Sequence, residues 1–116
     1  MYNADAHCGL GKVFMAHKQT KEAEKEYRIS LRLNPDNAVA HNRLGNVLMM
    51  KGDSTGAEKE YREAIRLHPN YWEAINNLAY LLENQKKPEA KVYRKRAKEA
   101  KEKYGPPPVI MKQRFE

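Results

Sequence analysis

The sequence predicts an all-α protein in which helical hairpins stack side by side into a curved array. A nine-residue phrase recurs after thirty-four positions, as YRISLRLNP from Tyr27 and as YREAIRLHP from Tyr61. Apolar residues follow the i, i+4 spacing of helices, and each phrase ends at a proline, which cannot continue a helix. An interval of thirty-four residues therefore fits two short helices and their turns.

Three repeat units are predicted, at about residues 4–37, 38–71 and 72–104. In each unit the first helix carries an apolar pair four residues apart, and we expect this pair to face the second helix. A small residue follows the first apolar residue, so the two helices are expected to approach closely there. These residues are Leu10, Gly11 and Phe14, then Leu44, Gly45 and Leu48, then Leu78, Ala79 and Leu82.

The second helices of the first two units end at Asn34-Pro35 and His68-Pro69, because proline lacks a donor and biases its predecessor away from the α region. The third unit loses a residue in its turn, where ENQKKPEA replaces MKGDSTGA. Its second helix has a narrow seam of small and aromatic residues, and cations occupy the rest. The seam is Ala90, Tyr93, Ala97, Ala100 and Tyr104, and the cations are Lys91, Arg94, Lys95, Lys98 and Lys101. This pattern predicts a C-terminal capping helix.

These residues resemble the tetratricopeptide repeat, which has a thirty-four-residue pattern. The pattern reads Leu10-Gly11, Phe14, Ala23, Tyr27, Ser30 and Pro35, then Leu44-Gly45, Leu48, Ala57, Tyr61, Ala64 and Pro69. The resemblance covers nearly all of residues 4–104, with a degenerate third repeat. His7 and His41 depart from it where the family often has Trp. The resemblance implies a solenoid of three antiparallel helix pairs, a right-handed α-α superhelix.

The two ends of the chain suggest further contacts. Ala6 and Val13 hold positions that face a preceding unit in later repeats, so we expect either the tail of a longer repeat protein or self-association through this uncapped unit. Residues 105–116 form a Pro-rich tail, expected to be extended from Pro106 to Pro108. This tail is either a linker or a segment whose apolar residues 109–111 dock on an apolar surface.

Composition indicates one domain: 116 residues, of which 41% are hydrophobic and 32% charged. No apolar run approaches the roughly 20 residues of a membrane span, and MYNADAH lacks the order of a signal peptide. A single cysteine, Cys8, permits no intramolecular disulfide. We therefore expect a soluble, cytoplasmic protein with no transmembrane segment.

The sequence indicates no enzyme and no cofactor or metal. His7 and His41 share one repeat position, so a structural role is expected, while His17 and His68 lie near turns. No HExxH, CxxC, phosphate loop or nucleophile elbow is present.

Function is expected on the concave surface that stacked hairpins create, lined by the first helix of each unit. The resemblance implies protein or peptide binding there. The predicted groove residues are Cys8, Lys12, Met15, Asn42, Arg43, Asn46, Met49, Asn76, Asn77 and Tyr80. Asparagine amides can pair with any extended peptide backbone. Tyr80 and the methionines add apolar contacts, although Met15 and Met49 also suit the core.

Two known grooves of this repeat family match the predicted one only in part. The asparagine-lined superhelix of the O-linked sugar transferase is similar, but only Asn77 stands at its matching place. The carboxylate clamp of chaperone adaptors fits worse, since Cys8 and Lys12 stand where the clamp needs Lys and Asn, and Glu73 replaces a cation.

A second function class follows from charge. Of the net charge of +7, nearly all arises between Lys86 and Lys103, where nine Lys or Arg stand against three Glu. A basic last helix is the alternative site, for nucleic acid or an anionic membrane surface. Stacking aromatics are expected among the cations of a nucleic-acid site, and only Tyr93 and Tyr104 are present. Nucleic acid is therefore the less favoured partner.

Overall fold

The computed structural model describes residues 3–105, which form six α-helices in three hairpins. The helices are α1 (Ala4–Ala16), α2 (Thr20–Leu33), α3 (Ala38–Met50), α4 (Ser54–Leu67), α5 (Trp72–Asn84) and α6 (Ala90–Tyr104). No strand occurs within residues 3–105. The predicted all-α helical solenoid is confirmed. Apart from Gly105, the predicted tail lies outside the described residues, and the docking of its apolar segment stays a prediction.

Side-chain caps start three of the helices. Asn3, Asn37 and Asp53 each accept a hydrogen bond from a backbone N–H two or three residues later, at 2.8, 3.2 and 2.9 Å. Each bond satisfies a donor that the first turn of a helix leaves without an intrahelical partner. The caps of α1 and α3 stand thirty-four residues apart, so the repeat specifies helix starts as well as apolar faces.

The turn inside each hairpin has the same geometry in all three units. Lys18, Gly52 and Lys86, thirty-four residues apart, have φ values of 60°, 85° and 57°. In each turn the following N–H donates to a carbonyl five residues earlier, at 2.8, 2.8 and 3.0 Å. This is the Schellman arrangement, in which a left-handed residue ends a helix. Glycine adopts this conformation freely, whereas the two lysines adopt it at a cost.

The helices of the first two hairpins touch where the sequence predicts a close approach. A Cβ atom added to Gly11 would lie 2.5 Å from Cε1 of Tyr27, and one added to Gly45 would lie 2.5 Å from Cε1 of Tyr61. Both tyrosine rings are buried. In the third unit the tyrosine position is taken by Arg94, so this hairpin closes differently.

The stack curves with the first helix of each unit on its inner side. Cα atoms of α1 approach α3 within 8 Å, and those of α3 approach α5, whereas within residues 3–105 the second helices α2, α4 and α6 make no such approach to one another. On the outer side a cleft of about 330 Å³ lies between α2 and α4, with Leu31, Leu44 and Glu60 among its lining residues. The inner surface therefore belongs to α1, α3 and α5.

Burial depends on whether a unit has a predecessor in the stack. Leu44 and Val47 of α3 are 1% and 0% exposed, while Leu10 and Val13 at the same positions of α1 are 45% and 52% exposed. Leu10, which the sequence predicts to face α2, is not buried by its own hairpin, because the cover at this position comes from the preceding unit. Self-association through this face stays a prediction.

The predicted apolar seam of α6 is confirmed for its alanines, but the prediction is wrong for its last residue, Tyr104. Ala90, Ala97 and Ala100 are buried and Tyr93 is half-buried, but Tyr104 is 54% exposed. With 15 residues, α6 is longer than its 13-residue partner α5, so its last turn has little helix to pack on.

Candidate functional site

The predicted groove residues all lie on α1, α3 and α5, and they differ in how far they reach solvent. Lys12 and Tyr80 are exposed, Tyr80 at 57%, whereas Cys8 and Asn42 are buried at 5% and 6%. The remaining six are half-buried: Met15, Arg43, Asn46, Met49, Asn76 and Asn77. Peptide contact by these residues stays a prediction, and the exposed and half-buried ones are best placed to make it.

Three of the four predicted asparagines bond to each other across two units. The amide nitrogen of Asn77 in α5 donates to Oδ1 of Asn42 at 3.0 Å and to Oδ1 of Asn46 at 3.1 Å, both in α3. Asn46 also accepts from the hydroxyl of Tyr61 at 2.6 Å, and Asn42 donates to the hydroxyl of Tyr71 at 3.4 Å. This amide network joins the second and third units at the floor of the inner surface.

The network leaves specific amide groups available. Within residues 3–105, Nδ2 of Asn46 and Oδ1 of Asn77 have no hydrogen-bond partner, although both side chains are half-buried. One is a donor and the other an acceptor, which is the pair that a peptide unit requires. No buried side-chain nitrogen or oxygen in the described part of the chain lacks a partner. The available groups therefore have some access to solvent.

Asn76 belongs to a separate cluster with the last helix. The guanidinium of Arg94 donates from Nε to one oxygen of Glu83 at 3.0 Å and from Nη2 to the other at 2.7 Å, and it also donates to Oδ1 of Asn76. The hydrogen bond from Arg94 lowers the pKa of Glu83. Arg94 lies among the cations outside the seam, as predicted, and it also binds α6 to α5.

A thiol of the first unit meets a cation of the second at the α1 end of the inner surface, where Lys12 is also exposed. Nη1 of Arg43 lies 3.7 Å from Sγ of the buried Cys8. Met15 and Met49 pack against the core, as one of the two interpretations held, while Met50 is 59% exposed. This end of the surface is therefore more basic and less amide-rich than the α3–α5 end.

The two repeated histidines form repeated pairs with glutamates. Nδ1 of His7 lies 2.6 Å from Glu26, and Nδ1 of His41 lies 2.7 Å from Glu60. Each pair links the two helices of one hairpin, so these histidines have a polar structural role. Sequence reasoning missed the glutamates, although they too recur at thirty-four residues.

The described residues contain no candidate metal site. No cluster of three His, Cys, Asp or Glu side chains within residues 3–105 has the geometry to hold a metal ion. No helix in the same range is long and apolar enough to cross a bilayer.

The paired helices, their thirty-four-residue period and the curved inner surface define a helical-repeat protein of the scaffold class. The sequence matches one tetratricopeptide repeat model over residues 8–71, more than half of the chain, and a second over residues 60–93. The chain belongs to the tetratricopeptide repeat family. Members of this family are typically non-catalytic scaffolds for protein interaction, and the repeats support that general class here.

Solved structures agree with this assignment. One crystal structure of MamA superposes with a TM-score of 0.83 at 26% identity, covering 88% of this chain and 60% of that one. A second, also of MamA, superposes with a TM-score of 0.79 at 26% identity, covering 94% of this chain and 62% of that one. The chain thus spans less than two thirds of the length of these proteins. No protein of curated function matches the sequence.

Proposed function

We propose that the inner surface of α1, α3 and α5 binds an extended segment of another polypeptide. The observation that carries this proposal is the pair of available amide groups, Nδ2 of Asn46 and Oδ1 of Asn77, on the solvent side of the amide network. Their opposite hydrogen-bonding character suits the backbone of a peptide and requires no particular side chain. The family assignment supports the same conclusion.

The residues beside these amides give the groove its selectivity. The ring of Tyr80 is 57% exposed on α5 and offers an apolar contact to a peptide side chain. Lys12 is exposed on α1, where it offers a charge to an acidic residue. A preferred ligand therefore has an apolar residue near the α5 end and an acidic residue near the α1 end.

The experiment uses a phage-displayed library of random peptides of roughly 12 residues, long enough at about 3.3 Å per residue to cross the three units. Peptides selected on the wild-type chain are then measured against Tyr80→Ala by fluorescence anisotropy. Tyr104→Ala is the matched control, because Tyr104 is also an exposed tyrosine, at 54%, but lies at the end of α6.

We expect Tyr80→Ala to weaken binding by roughly tenfold, as for loss of an aromatic contact. Asn46→Ala should weaken it as well, and Tyr104→Ala should leave it within about twofold. Equal binding by wild type, Tyr80→Ala and Asn46→Ala would refute the groove assignment. Circular dichroism of each variant establishes that the helices are retained.

A further inference from the structure

The last hairpin has, at the end of the stack, a surface that combines cations with an apolar floor. We name it the basic end face and define it by Lys91, Arg94, Lys95, Lys98 and Lys101 of α6 with Trp72 of α5. Two shallow cavities of about 310 and 380 Å³ lie on it. Trp72 and Ala97 line the first, and Ala90 lines the second. Of the predicted groove residues, Asn76 also lines the first cavity, whereas Asn46, Asn77 and Tyr80 line neither.

The repeat geometry indicates what shape fits this face. The matching faces of the first and second hairpins are covered by α3 and α5, which pack against α2 and α4. Each unit therefore has a place beside its second helix for one further helix. In the third hairpin that place is the basic end face, and no described residue covers it.

The chemistry of the face differs from that of the earlier units. Because the third unit loses one residue in its turn, the register between α4 and α6 is thirty-three residues. Tyr61 and Ile65 of α4 therefore correspond to Arg94 and Lys98 of α6. Ile65 is 9% exposed, whereas Lys98 is exposed. A helix like α5, with Leu81 and other apolar residues on its packing side, would bury the charge of Lys98 without a partner, which is unfavourable. An incoming helix must therefore bring carboxylates.

The available charge is positive and concentrated. Glu83 lines the second cavity and is already paired with Arg94, and Glu102, four residues after Lys98 on α6, makes no ion pair with a described residue. The lysines of the face make no ion pair with any described residue. Nζ of Lys101 lies over the ring of Trp72, 5.1 Å from its centroid. Four lysines without an ion pair thus lie along about 15 Å of α6, the length of ten residues at roughly 1.5 Å each, against one nearby acid, Glu102.

We propose that the basic end face binds an acidic amphipathic helix of a partner protein, in the position that a seventh helix of the stack would take. The apolar side of this helix packs on Trp72, Ala90 and Ala97, and its carboxylates pair with Lys95 and Lys98. Charge complementarity selects this occupant.

Two occupants from the chain itself fit the charge poorly. Residues 106–116 contain three prolines and two cations, with Glu116 as their single acid. In a second copy, the exposed side of α1 would bring Leu10 and Val13, and α1 holds one acid, Asp5. Neither supplies the several carboxylates that the lysines require.

Nucleic acid finds few rings to stack on at this face. Trp72 is the single aromatic residue of the basic end face and is half-buried, while the Tyr93 ring, 5.5 and 5.2 Å from the guanidinium carbons of Arg62 and Arg96, lies toward α4. Sequence-tolerant binding of single strands depends on exposed aromatic rings among the cations. A helix from a protein is therefore favoured over a nucleic acid.

The test uses the whole chain and a fluorescein-labelled helical peptide of about 16 residues, roughly 24 Å long. The peptide is built from alanine, leucine and glutamate, with the glutamates flanking a leucine stripe. Binding is measured by anisotropy for wild type, for Lys95→Glu/Lys98→Glu, and for Lys21→Glu/Lys25→Glu. The last variant has the same change of charge at exposed lysines of α2 and is the matched control.

We expect Lys95→Glu/Lys98→Glu to weaken binding by roughly tenfold or more, and the α2 control to change it by less than about threefold. A peptide with lysine in place of glutamate should bind the reversed variant better than wild type. Equal loss in both variants would overturn the proposal, because it would indicate attraction by net charge alone. Tighter binding of duplex DNA or of phosphatidylserine vesicles than of the peptide, lost in the same variant, would also overturn it.

Discussion

Nδ1 of His41 lies 2.7 Å from Oε1 of Glu60, and the two side chains join α3 to α4. The other ring nitrogen of His41 lies 2.8 Å from the carbonyl oxygen of Pro35, in the turn before α3. A protonated imidazole donates to both acceptors at once. The charged form of His41 therefore holds three segments of the chain together.

This arrangement predicts a pH dependence of stability. Burial opposes protonation of His41, but the hydrogen bonds to Glu60 and Pro35 and the charge of Glu63 outweigh it and raise the pKa of His41. A raised pKa in the folded state means that its stabilisation is complete below the ordinary pKa of about 6.5 and is lost as pH rises through the folded-state pKa. We expect the free energy of unfolding to fall over that window.

The measurement is urea denaturation of wild type and His41→Gln across a series of pH values. His41→Gln should be less stable at the acid end, and its stability should depend less on pH. His17→Gln, which changes an exposed histidine at the end of α1, should keep the wild-type dependence. If His41→Gln also keeps the wild-type pH dependence, the His41–Glu60 pair is not its cause.

The three left-handed turn residues predict stabilising substitutions. Lys18→Gly and Lys86→Gly should each raise the free energy of unfolding by about 1 kcal/mol, because glycine adopts positive φ without the clash of a Cβ atom. Gly52→Lys should lower it by a similar amount. Lys59→Gly, at an exposed position inside α4, should be destabilising by about 1 kcal/mol, since glycine disfavours a helix interior. A loss of stability in Lys18→Gly, measured by denaturation, would contradict the turn geometry.

Substitution of glycine by alanine should have opposite effects on stability at two positions of the first helices. Gly45→Ala places a methyl group 2.5 Å from the Tyr61 ring and should cost roughly 1 to 3 kcal/mol. Gly9 has no atom of another part of the chain within 4 Å of the added Cβ, so Gly9→Ala should stabilise α1 by about 0.5 to 1 kcal/mol. Thermal denaturation of the two variants compares them. Similar melting temperatures would mean that the hairpin tolerates a wider separation than the structure has.

The helices, their pairing and their close approaches were predictable from the sequence. Helix ends follow from Pro35 and Pro69, since proline limits the backbone wherever the chain is placed. The approach at Gly11 and Gly45 follows from the absence of a side chain at a repeated position. These properties are local, or they depend on residues within one hairpin.

The candidate site was predictable only in part. The sequence places Asn42, Asn46 and Asn77 on the inner surface, but the structure commits much of their hydrogen-bonding capacity to one another and leaves two groups available. The ion pair between Arg94 and Glu83 was not predictable, because the cations of a lysine-rich helix are usually solvated.

The sequence by itself determined a period of paired helices, because periodic burial and chain-breaking residues act over short distances. The tertiary structure alone decided that Leu10 is exposed while Leu44 is buried, because the two are equivalent in the repeat and differ only in having a preceding unit. It likewise decided which polar groups meet across units, since a hydrogen bond requires a donor–acceptor distance correct to within a few tenths of an ångström, which no repeat pattern specifies.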